Sequence, residues 1–373
     1  MLISNVHVSV YLGISLLLHL SNIVGHPSGH GLVDSITRTA PLLSVWQTPA
    51  PVHSLAVHSQ AVWLLAGLEN GLILLYTVRE DEGLLIHTFK RYHSTPPPLS
   101  DSHDRSVSCI QKSPDERSFL SAGWDKRVTL WNLDSGQIIR EFSQFSSILT
   151  SIHIRPTGPL PRSFIPEPAS PDSNRHFTFI ASSFDGSIVV LDTRCTDPAM
   201  SVAKLLPPAG TPPWCMSACW SCDGANVVVG RRNASVDVYT LAPQDSSGEA
   251  GEVTVRSMKL ARDSGAVYAV CGLASPDASL VLCGSFDNVR VYDLGMAGGD
   301  ALSPRDGDPA LPFHILPGHQ RGMVSALITH SNGAWALSAS GTRGLDDSLG
   351  VTGNCIVYAA LPDLAAKPKV SEE

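Results

Sequence analysis

Three closely spaced cysteines come nearest to a known kind of chemical site in this sequence. Cys215, Cys219 and Cys222 lie in the run PPWCMSACWSC. Thiolates at such spacing can hold zinc, but a tetrahedral site takes four ligands, and no CxxC or HxxxH pair follows them. We therefore interpret the three as structural thiols, with Cys215 and Cys219 on one face of a strand, and predict no metal site.

The histidines and glycine-rich turns carry no catalytic pattern. The sequence contains no G-x-x-x-x-G-K-[ST], HExxH or G-x-S-x-G motif. His53, His58, His87 and His153 lie in strand-like runs in which we can place no partner for catalysis, which favours surface or internally bonded histidines. We predict no catalytic residue, no cofactor and no enzymatic activity.

The composition favours a folded protein that binds other proteins. The 373 residues are 43% hydrophobic and 16% charged, with a formal net charge of −8 and no block of Lys or Arg. Such a chain has enough apolar material for a large core and offers little to a phosphate backbone. We expect no direct binding to nucleic acid, and an attraction to basic protein partners.

Residues 1–30 imitate a targeting signal but differ from one in their pattern. No basic residue precedes the apolar run, and Val6, Val8 and Val10 alternate with polar residues as in a half-buried strand. We expect this segment to be disordered or to donate a strand, while a signal peptide stays open as the alternative. The run is too short and too polar to span a membrane.

One unit recurs along the chain: a polar turn with Asp or Asn, a short β-rich run, then an aromatic residue or Leu. The copies read LENGLILLYTV, GWDKRVTLWNL, SFDGSIVVLDT, RRNASVDVYTL and SFDNVRVYDL. The pairs of turn and end residues are Asn70 and Tyr76, Asp125 and Trp131, Asp185 and Leu191, Asn233 and Tyr239, and Asp287 and Tyr292. Their spacing is typical of four short strands per repeat with generous loops.

Two further strands precede each unit, joined by tight turns such as Ser-Pro-Asp, and no helical period is visible. This order predicts an all-β propeller over residues 31–362, with a disordered tail over 363–373. Six blades are recognisable, and residues 1–47 would supply a partial or N-terminally completed seventh. The predicted inner strands begin near Val52, Val107, Thr150, Cys215, Val267 and Val324.

These residues resemble the WD-repeat β-propeller family. Asp125 and Trp131, with Ser121 as the hydroxyl member, are similar to the hydrogen-bonded set of a WD repeat, and Gly318-His319 resembles the Gly-His that opens one. From about His30 to Pro362 the order of features resembles the WD-repeat subunits of fungal SAGA transcription coactivators. The resemblance implies a nuclear scaffold that works with other coactivator subunits and helps to recruit or regulate the TATA-binding protein at RNA polymerase II promoters.

A candidate partner surface follows from the repeat. The residues just before the turn Asp or Asn should form a ring at one rim, and they are Glu69, Trp124, Phe184, Arg232 and Phe286. Aromatic residues and Arg are common in interface hot spots, although local packing against neighbouring blades is the simpler interpretation. Arg231 could pair with an acidic partner or stay solvated beside Arg232, and the Pro-rich insertions could expose Phe164 or Trp214 for docking.

Other roles for such a fold stay open at this point. A WD-repeat adaptor of another complex, such as a ubiquitin ligase substrate receptor, would show the same repeats. A propeller enzyme would need acidic or His groups on the innermost strands, and runs such as VHSLAV and VSCIQK offer few.

Overall fold

A computed structural model describes most of the repeat region. The described residues are 48–79, 81–90, 106–165, 176–197, 199–242, 253–260, 264–275, 279–286, 288–294, 313–319, 322–330, 333, 335–341 and 353–359. The predictions for residues 1–30, for a seventh blade supplied by residues 1–47, for the tail 363–373 and for Asp287 lie outside these ranges.

The described residues form six antiparallel sheets, which we number in chain order. They fall into two compact units, with the boundary after Ile152 inside strand β9. Unit 1 holds sheet 1, with β1 (Val52–Val57), β2 (Trp63–Leu68), β3 (Leu72–Thr77) and β4 (Leu85–Lys90), and sheet 2, with β5 (Cys109–Lys112), β6 (Ser118–Ala122), β7 (Val128–Asn132) and β8 (Ile138–Phe142).

Unit 2 begins within sheet 3 and holds the remaining sheets. Its strands are β9 (Leu149–Ile154), β10 (Thr178–Ser183), β11 (Ile188–Asp192) and β12 (Ala203–Leu205) in sheet 3; β13 (Cys215–Trp220), β14 (Asn226–Arg231), β15 (Ser235–Leu241) and β16 (Val253–Lys259) in sheet 4; β17 (Ala269–Leu273), β18 (Leu280–Gly284), β19 (Val289–Asp293) and β20 (Phe313–Leu316) in sheet 5; and β21 (Met323–Thr329), β22 (Trp335–Gly341) and β23 (Gly353–Ala359) in sheet 6.

Each sheet is a meander, because consecutive strands are hydrogen-bonded neighbours. The first strands of the six sheets begin within two residues of the predicted inner strands. The predicted all-β class is confirmed. Within the described ranges the one regular helix is the 3₁₀ turn η1 (Arg162–Phe164), and no helix there is long and apolar enough to cross a membrane.

The apolar runs of the central strands are explained by packing on both faces. In β14, Val227 and Val229 pack in a cluster with residues of sheet 3, whereas Val228 packs in a cluster with residues of sheet 5. Successive side chains of a strand point to opposite faces, so a strand covered on both sides needs apolar residues at every position. The outer strands β4 and β8 are not covered on both faces, and the side chains of Ile86 and Ile139 are each 53% exposed.

A bulge changes which way the cysteines of β13 face. The pairing of β13 with β14 shifts register between Cys215 and Ser217. Cys215 therefore packs toward sheet 3 and Cys219 toward sheet 5, and the prediction that they share one face is wrong. Sequence spacing alone cannot reveal the extra residue that a bulge inserts.

The recurrent turn residues act through their side chains. Asn70 Oδ1 accepts a hydrogen bond from the backbone N–H of Leu72 at 3.2 Å, and Asp185 Oδ1 accepts one from the N–H of Ser187 at 3.0 Å. Asn233 Oδ1 accepts from Ser235 Oγ at 2.7 Å. The residue directly after each of Asn70, Asp185 and Asn233 has a positive φ, and so does Lys126 after Asp125. An Asx turn with a left-handed second residue explains why Asp and Asn recur there.

The aromatic ends of the repeat units are buried, and several are hydrogen-bonded. Trp131 Nε1 donates to Ser121 Oγ at 2.9 Å, as the resemblance implied. In sheet 6, His319 Nε2 lies 2.6 Å from Ser338 Oγ, which in turn lies 3.3 Å from the hydroxyl of Tyr358. The corresponding residues Tyr76, Leu191 and Tyr292 are buried.

We expect His153 to make stability depend on pH. Its Nδ1 accepts a hydrogen bond from the backbone N–H of Trp220 at 3.2 Å, and burial lowers its pKa to about 4. In the unfolded chain a histidine takes up its proton near pH 6.5. Between about pH 6.5 and 4 only the unfolded state binds this proton, so the free energy of unfolding should fall as the pH is lowered, and nothing is lost above pH 6.5.

The measurement is urea unfolding at pH 7.5 and pH 5 for the wild-type chain and for His153→Asn, whose amide oxygen can still accept from Trp220. We expect wild type to lose up to about 2 kcal/mol more than the variant between the two pH values. An equal loss in both proteins would show that His153 is protonated as readily in the fold as outside it.

Candidate protein-interaction site

The residues predicted to form a rim occupy equivalent places in the sheets. The backbone N–H groups of Glu69, Trp124 and Phe286 donate to the carbonyls of Pro51, Ser106 and Ser264 at 2.9, 3.0 and 3.0 Å. Each accepting carbonyl belongs to the segment that leads into the inner strand of the same sheet. The repeated bond shows that these turns share one backbone geometry within their units.

The carbonyl just before four of the five rim residues, all except Phe184, accepts a hydrogen bond from the start of the next sheet. Val107 and Leu149 donate to Leu68 and Gly123 in unit 1, at 3.1 and 3.3 Å. In unit 2, Val267 and Val324 donate to the carbonyls of Arg231 and Ser285, at 3.0 and 3.1 Å. The turns of Glu69, Trp124 and Phe286 are therefore held from both sides by backbone bonds and are stiff supports for their side chains.

In unit 1 the rim residues are Glu69, which is half-buried, and Trp124, which is 38% exposed. The rings of Trp124 and His53 are nearly perpendicular, at 81°, with centroids 6.3 Å apart, and His53 Nδ1 lies 3.0 Å from Ser106 Oγ. This tryptophan is thus partly packed and partly available to a partner.

In unit 2 two rim residues meet a residue of the Pro-rich insertion. The Phe184 ring stacks on Trp214 with centroids 5.7 Å apart and an interplanar angle of 27°. The Arg232 guanidinium carbon lies 3.7 Å from the centroid of the Trp214 ring. We call Phe184, Trp214 and Arg232 the aromatic–arginine cluster. Phe184 is 37% exposed, Trp214 is half-buried and Arg232 is exposed.

A close backbone approach fixes Trp214 in this cluster. Gly186 has φ +92°, and a Cβ built on it would lie 1.8 Å from the carbonyl oxygen of Pro213. Only glycine lets the Pro213 carbonyl come so near, and only glycine adopts such a φ without strain. The turn of sheet 3 and the segment before β13 are therefore pressed together just beside Trp214.

Arg231 does not take part in the exposed surface, and the prediction that it contacts a partner or stays solvated is wrong. Its side chain is fully buried, and its Nε donates to Asp237 Oδ2 at 2.7 Å. Its other nitrogens donate to the Gly186 carbonyl at 3.0 Å and to the Tyr239 hydroxyl at 2.8 Å. Burial alone would lower the pKa of Arg231, but Tyr239, Cys215 and Asp237 together raise it.

The buried network connects sheet 4 to sheet 3 beneath the cluster. Tyr239 donates to the Leu206 carbonyl at 2.8 Å, and Asp237 accepts a further bond from Ser257 Oγ at 2.7 Å. The sequence did contain a signal for this network. Asp237 interrupts the apolar run of β15 and Arg231 ends that of β14, and a charge inside a buried run needs a buried partner.

Phe164, the other predicted docking residue, is half-buried and packs against the core cluster between sheets 3 and 4. It is therefore a core residue more than a docking point.

Potential metal ligands and thiols are the remaining features with possible chemistry among the described residues. No group of three or more His, Cys, Asp or Glu side chains that could hold a metal ion occurs in the described part of the chain. Seven cysteines, all of those whose side chains the structure describes, are free thiols, and burial raises the pKa of Cys109 to about 11 and that of Cys283 to about 12. Such thiols are protonated at neutral pH and are poor nucleophiles.

Meander sheets packed face to face, with Ser–Trp and His–Ser–Tyr bonds at the ends of their repeats, define a WD-repeat β-propeller. The family model described as SPT8 beta propeller matches residues 33–161 and 173–359. The chain belongs to this family.

Named relatives agree with this assignment. The chain is 32% identical over 381 residues to SAGA complex subunit Spt8 of Schizosaccharomyces pombe, a match that covers 84% of this chain and 66% of the relative. It is 30% identical over 387 residues to SAGA complex subunit SPT8 of Saccharomyces cerevisiae, covering 84% and 61%. A weaker likeness, 24% over 156 residues, is to methylosome protein WDR77 of Xenopus laevis and covers 42% and 39%. The chain thus spans less than two thirds of the length of either Spt8 relative.

Proposed function

We propose that this chain is a non-catalytic scaffold subunit of a SAGA-like transcription coactivator complex in the nucleus. The observation that carries the proposal is the identity of 32% and 30% to two proteins named as SAGA complex subunits, over 84% of the chain in each case. Stiff sheets with partly exposed aromatic residues at their turns suit a platform on which other subunits dock.

The finer part of the proposal concerns the promoter. By its resemblance to this family, the chain helps the complex to recruit or regulate the TATA-binding protein at RNA polymerase II promoters. The formal net charge of −8 supports contact with a basic protein, because opposite charges steer association and suppress wrong partners.

Affinity purification of the tagged chain from its own cells, followed by mass spectrometry, tests the first part. We expect other coactivator subunits to co-purify from the nuclear fraction. Recovery of a ubiquitin ligase core in their place would contradict the proposal and favour the substrate-receptor alternative.

A binding assay with purified components tests the second part. The full chain and purified TATA-binding protein are mixed at increasing salt and analysed by pulldown. We expect an interaction that weakens with salt, as for an acidic surface on a basic partner. Co-purification of coactivator subunits without any binding of the TATA-binding protein would leave the scaffold role standing and remove the promoter role.

A further inference from the structure

The aromatic–arginine cluster has an exposed positive charge that its own surroundings leave uncompensated. Among the described residues, ion pairs join His58 and Lys112 to Glu116, Arg127 to Glu141, Arg194 to Asp192 and Arg231 to Asp237, and none involves Arg232. The turn carboxylate that follows Phe184, Asp185, accepts hydrogen bonds from the N–H and the hydroxyl of Ser187 at 3.0 and 2.7 Å.

Stacking on Trp214 decides which part of the Arg232 guanidinium is open to a partner. Its guanidinium carbon lies 3.7 Å from the Trp214 centroid, so one face of the charged group is covered by the indole. A guanidinium held over an aromatic ring keeps the N–H donors along its edge, where they match the two oxygens of a carboxylate. The cluster is thus suited to a carboxylate.

Apolar surface adjoins this charge. Phe184 stacks on the same Trp214, and its ring is 37% exposed. Phe286, in sheet 5 of the same unit, is 47% exposed. The segment that leads into sheet 5 is anchored at both ends, because the Val267 N–H donates to the Arg231 carbonyl and the Ser264 carbonyl accepts from the Phe286 N–H. Gly265 in that segment presents little bulk beside Phe286, so an extended chain can pass over it.

The surface is also preorganised. The Pro213 carbonyl against Gly186 and the bond from Arg231 to the Gly186 carbonyl fix the backbone beneath Phe184 and Trp214. A surface that is already ordered loses little conformational entropy on binding.

We propose that the aromatic–arginine cluster, extended by Phe286, binds a short segment of a partner protein in which Asp or Glu neighbours an apolar side chain. The carboxylate pairs with Arg232, and the apolar side chain covers Phe184 and Trp214. A nucleic acid strand is disfavoured, because the cluster supplies a single exposed cation on a chain with a formal net charge of −8. The inference relies on the proposed function only for the identity of the partner.

Selection from a display library of random 12-residue peptides tests the specificity directly. The full chain is immobilised as wild type, as Arg232→Glu and as Lys259→Glu. The last variant makes the same charge change at an exposed lysine of β16 in the same unit. Thermal unfolding by circular dichroism checks that each variant is folded as wild type is.

We expect wild type and Lys259→Glu to enrich peptides with Asp or Glu beside Leu, Phe or Trp, and Arg232→Glu to lose that enrichment. The best selected peptide should bind Arg232→Glu and Phe184→Ser at least roughly tenfold more weakly than wild type by fluorescence anisotropy. Enrichment without acidic residues, no enrichment at all, or equal enrichment on Arg232→Glu would overturn the proposal. So would tighter Arg232-dependent binding of a 20-nucleotide oligo-dT strand than of any selected peptide.

The two proposals fail in different ways. If wild type co-purifies with coactivator subunits but selects no acidic peptide, the docking inference is wrong and the scaffold role stands. If acidic peptides are selected through Arg232 but no coactivator subunit co-purifies, the surface stands and the scaffold role is wrong.

Discussion

Replacing Asp237 with alanine is expected to lower the free energy of unfolding by about 3–5 kcal/mol, because it leaves a buried guanidinium without its counter-charge. Arg231 and Asp237 are both completely buried, and the bond between them is 2.7 Å long. Urea unfolding followed by circular dichroism measures the change.

Two control variants separate the lost charge from other effects. Ser257→Ala removes only a hydroxyl that donates to Asp237 at 2.7 Å, and should cost about 1 kcal/mol. The double variant Arg231→Met with Asp237→Leu removes both charges and should recover much of the loss, since apolar pairs often replace buried ion pairs at little cost. A double variant as unstable as Asp237→Ala would show that the geometry of the network, more than the unpaired charge, is what the fold needs.

Replacing Gly186 with alanine is expected to destabilise the chain by roughly 2–6 kcal/mol and to release Trp214 from the cluster. The new Cβ would lie 1.8 Å from the Pro213 carbonyl oxygen, and the backbone φ of +92° strains any residue with a side chain. Strain of this kind costs about 1–3 kcal/mol, and overpacking adds about 1–3 kcal/mol more. Urea unfolding gives the first effect, and hydrogen exchange of the peptide that contains Pro213 and Trp214 gives the second.

Gly210→Ala is the matched control for this experiment. Gly210 has φ +79°, but a Cβ there would meet no atom within 4 Å. It therefore carries the conformational strain without the collision, and exchange near Trp214 should change little. If Gly186→Ala is no more destabilising than Gly210→Ala, the close approach of Pro213 contributes nothing measurable.

The positions of the strands and turns could be predicted because they depend on local patterns. A run of alternating or continuous apolar residues between turns of Asp, Asn, Gly and Pro indicates a strand without reference to the rest of the chain. The first strand of each sheet begins within two residues of the predicted position. The rim residues could be predicted for the same reason, since each lies one position before a turn that repeats.

The contacts between repeats could not be predicted in the same way. The sequence predicts Trp214 as a possible docking residue of a Pro-rich insertion but not its contacts, because its neighbours Phe184 and Arg232 are distant in sequence and belong to other turns. Arg231 and Arg232 look alike in the sequence, yet one is buried in an ion pair and the other is exposed on an indole ring.

The sequence by itself determined the class of fold, the order of the strands and the positions of the repeated turns, since all of these follow from short-range periodicity and turn chemistry. Only the tertiary structure decided which of two adjacent arginines is available, which way the cysteines of β13 face, and how Phe184, Trp214 and Arg232 come together. The physical reason is that the burial and pairing of a side chain depend on the neighbouring sheet, which is tens of residues away in sequence. The bulge in β13 and the contact of the Pro213 carbonyl with Gly186 help to decide which residues of that sheet come into contact.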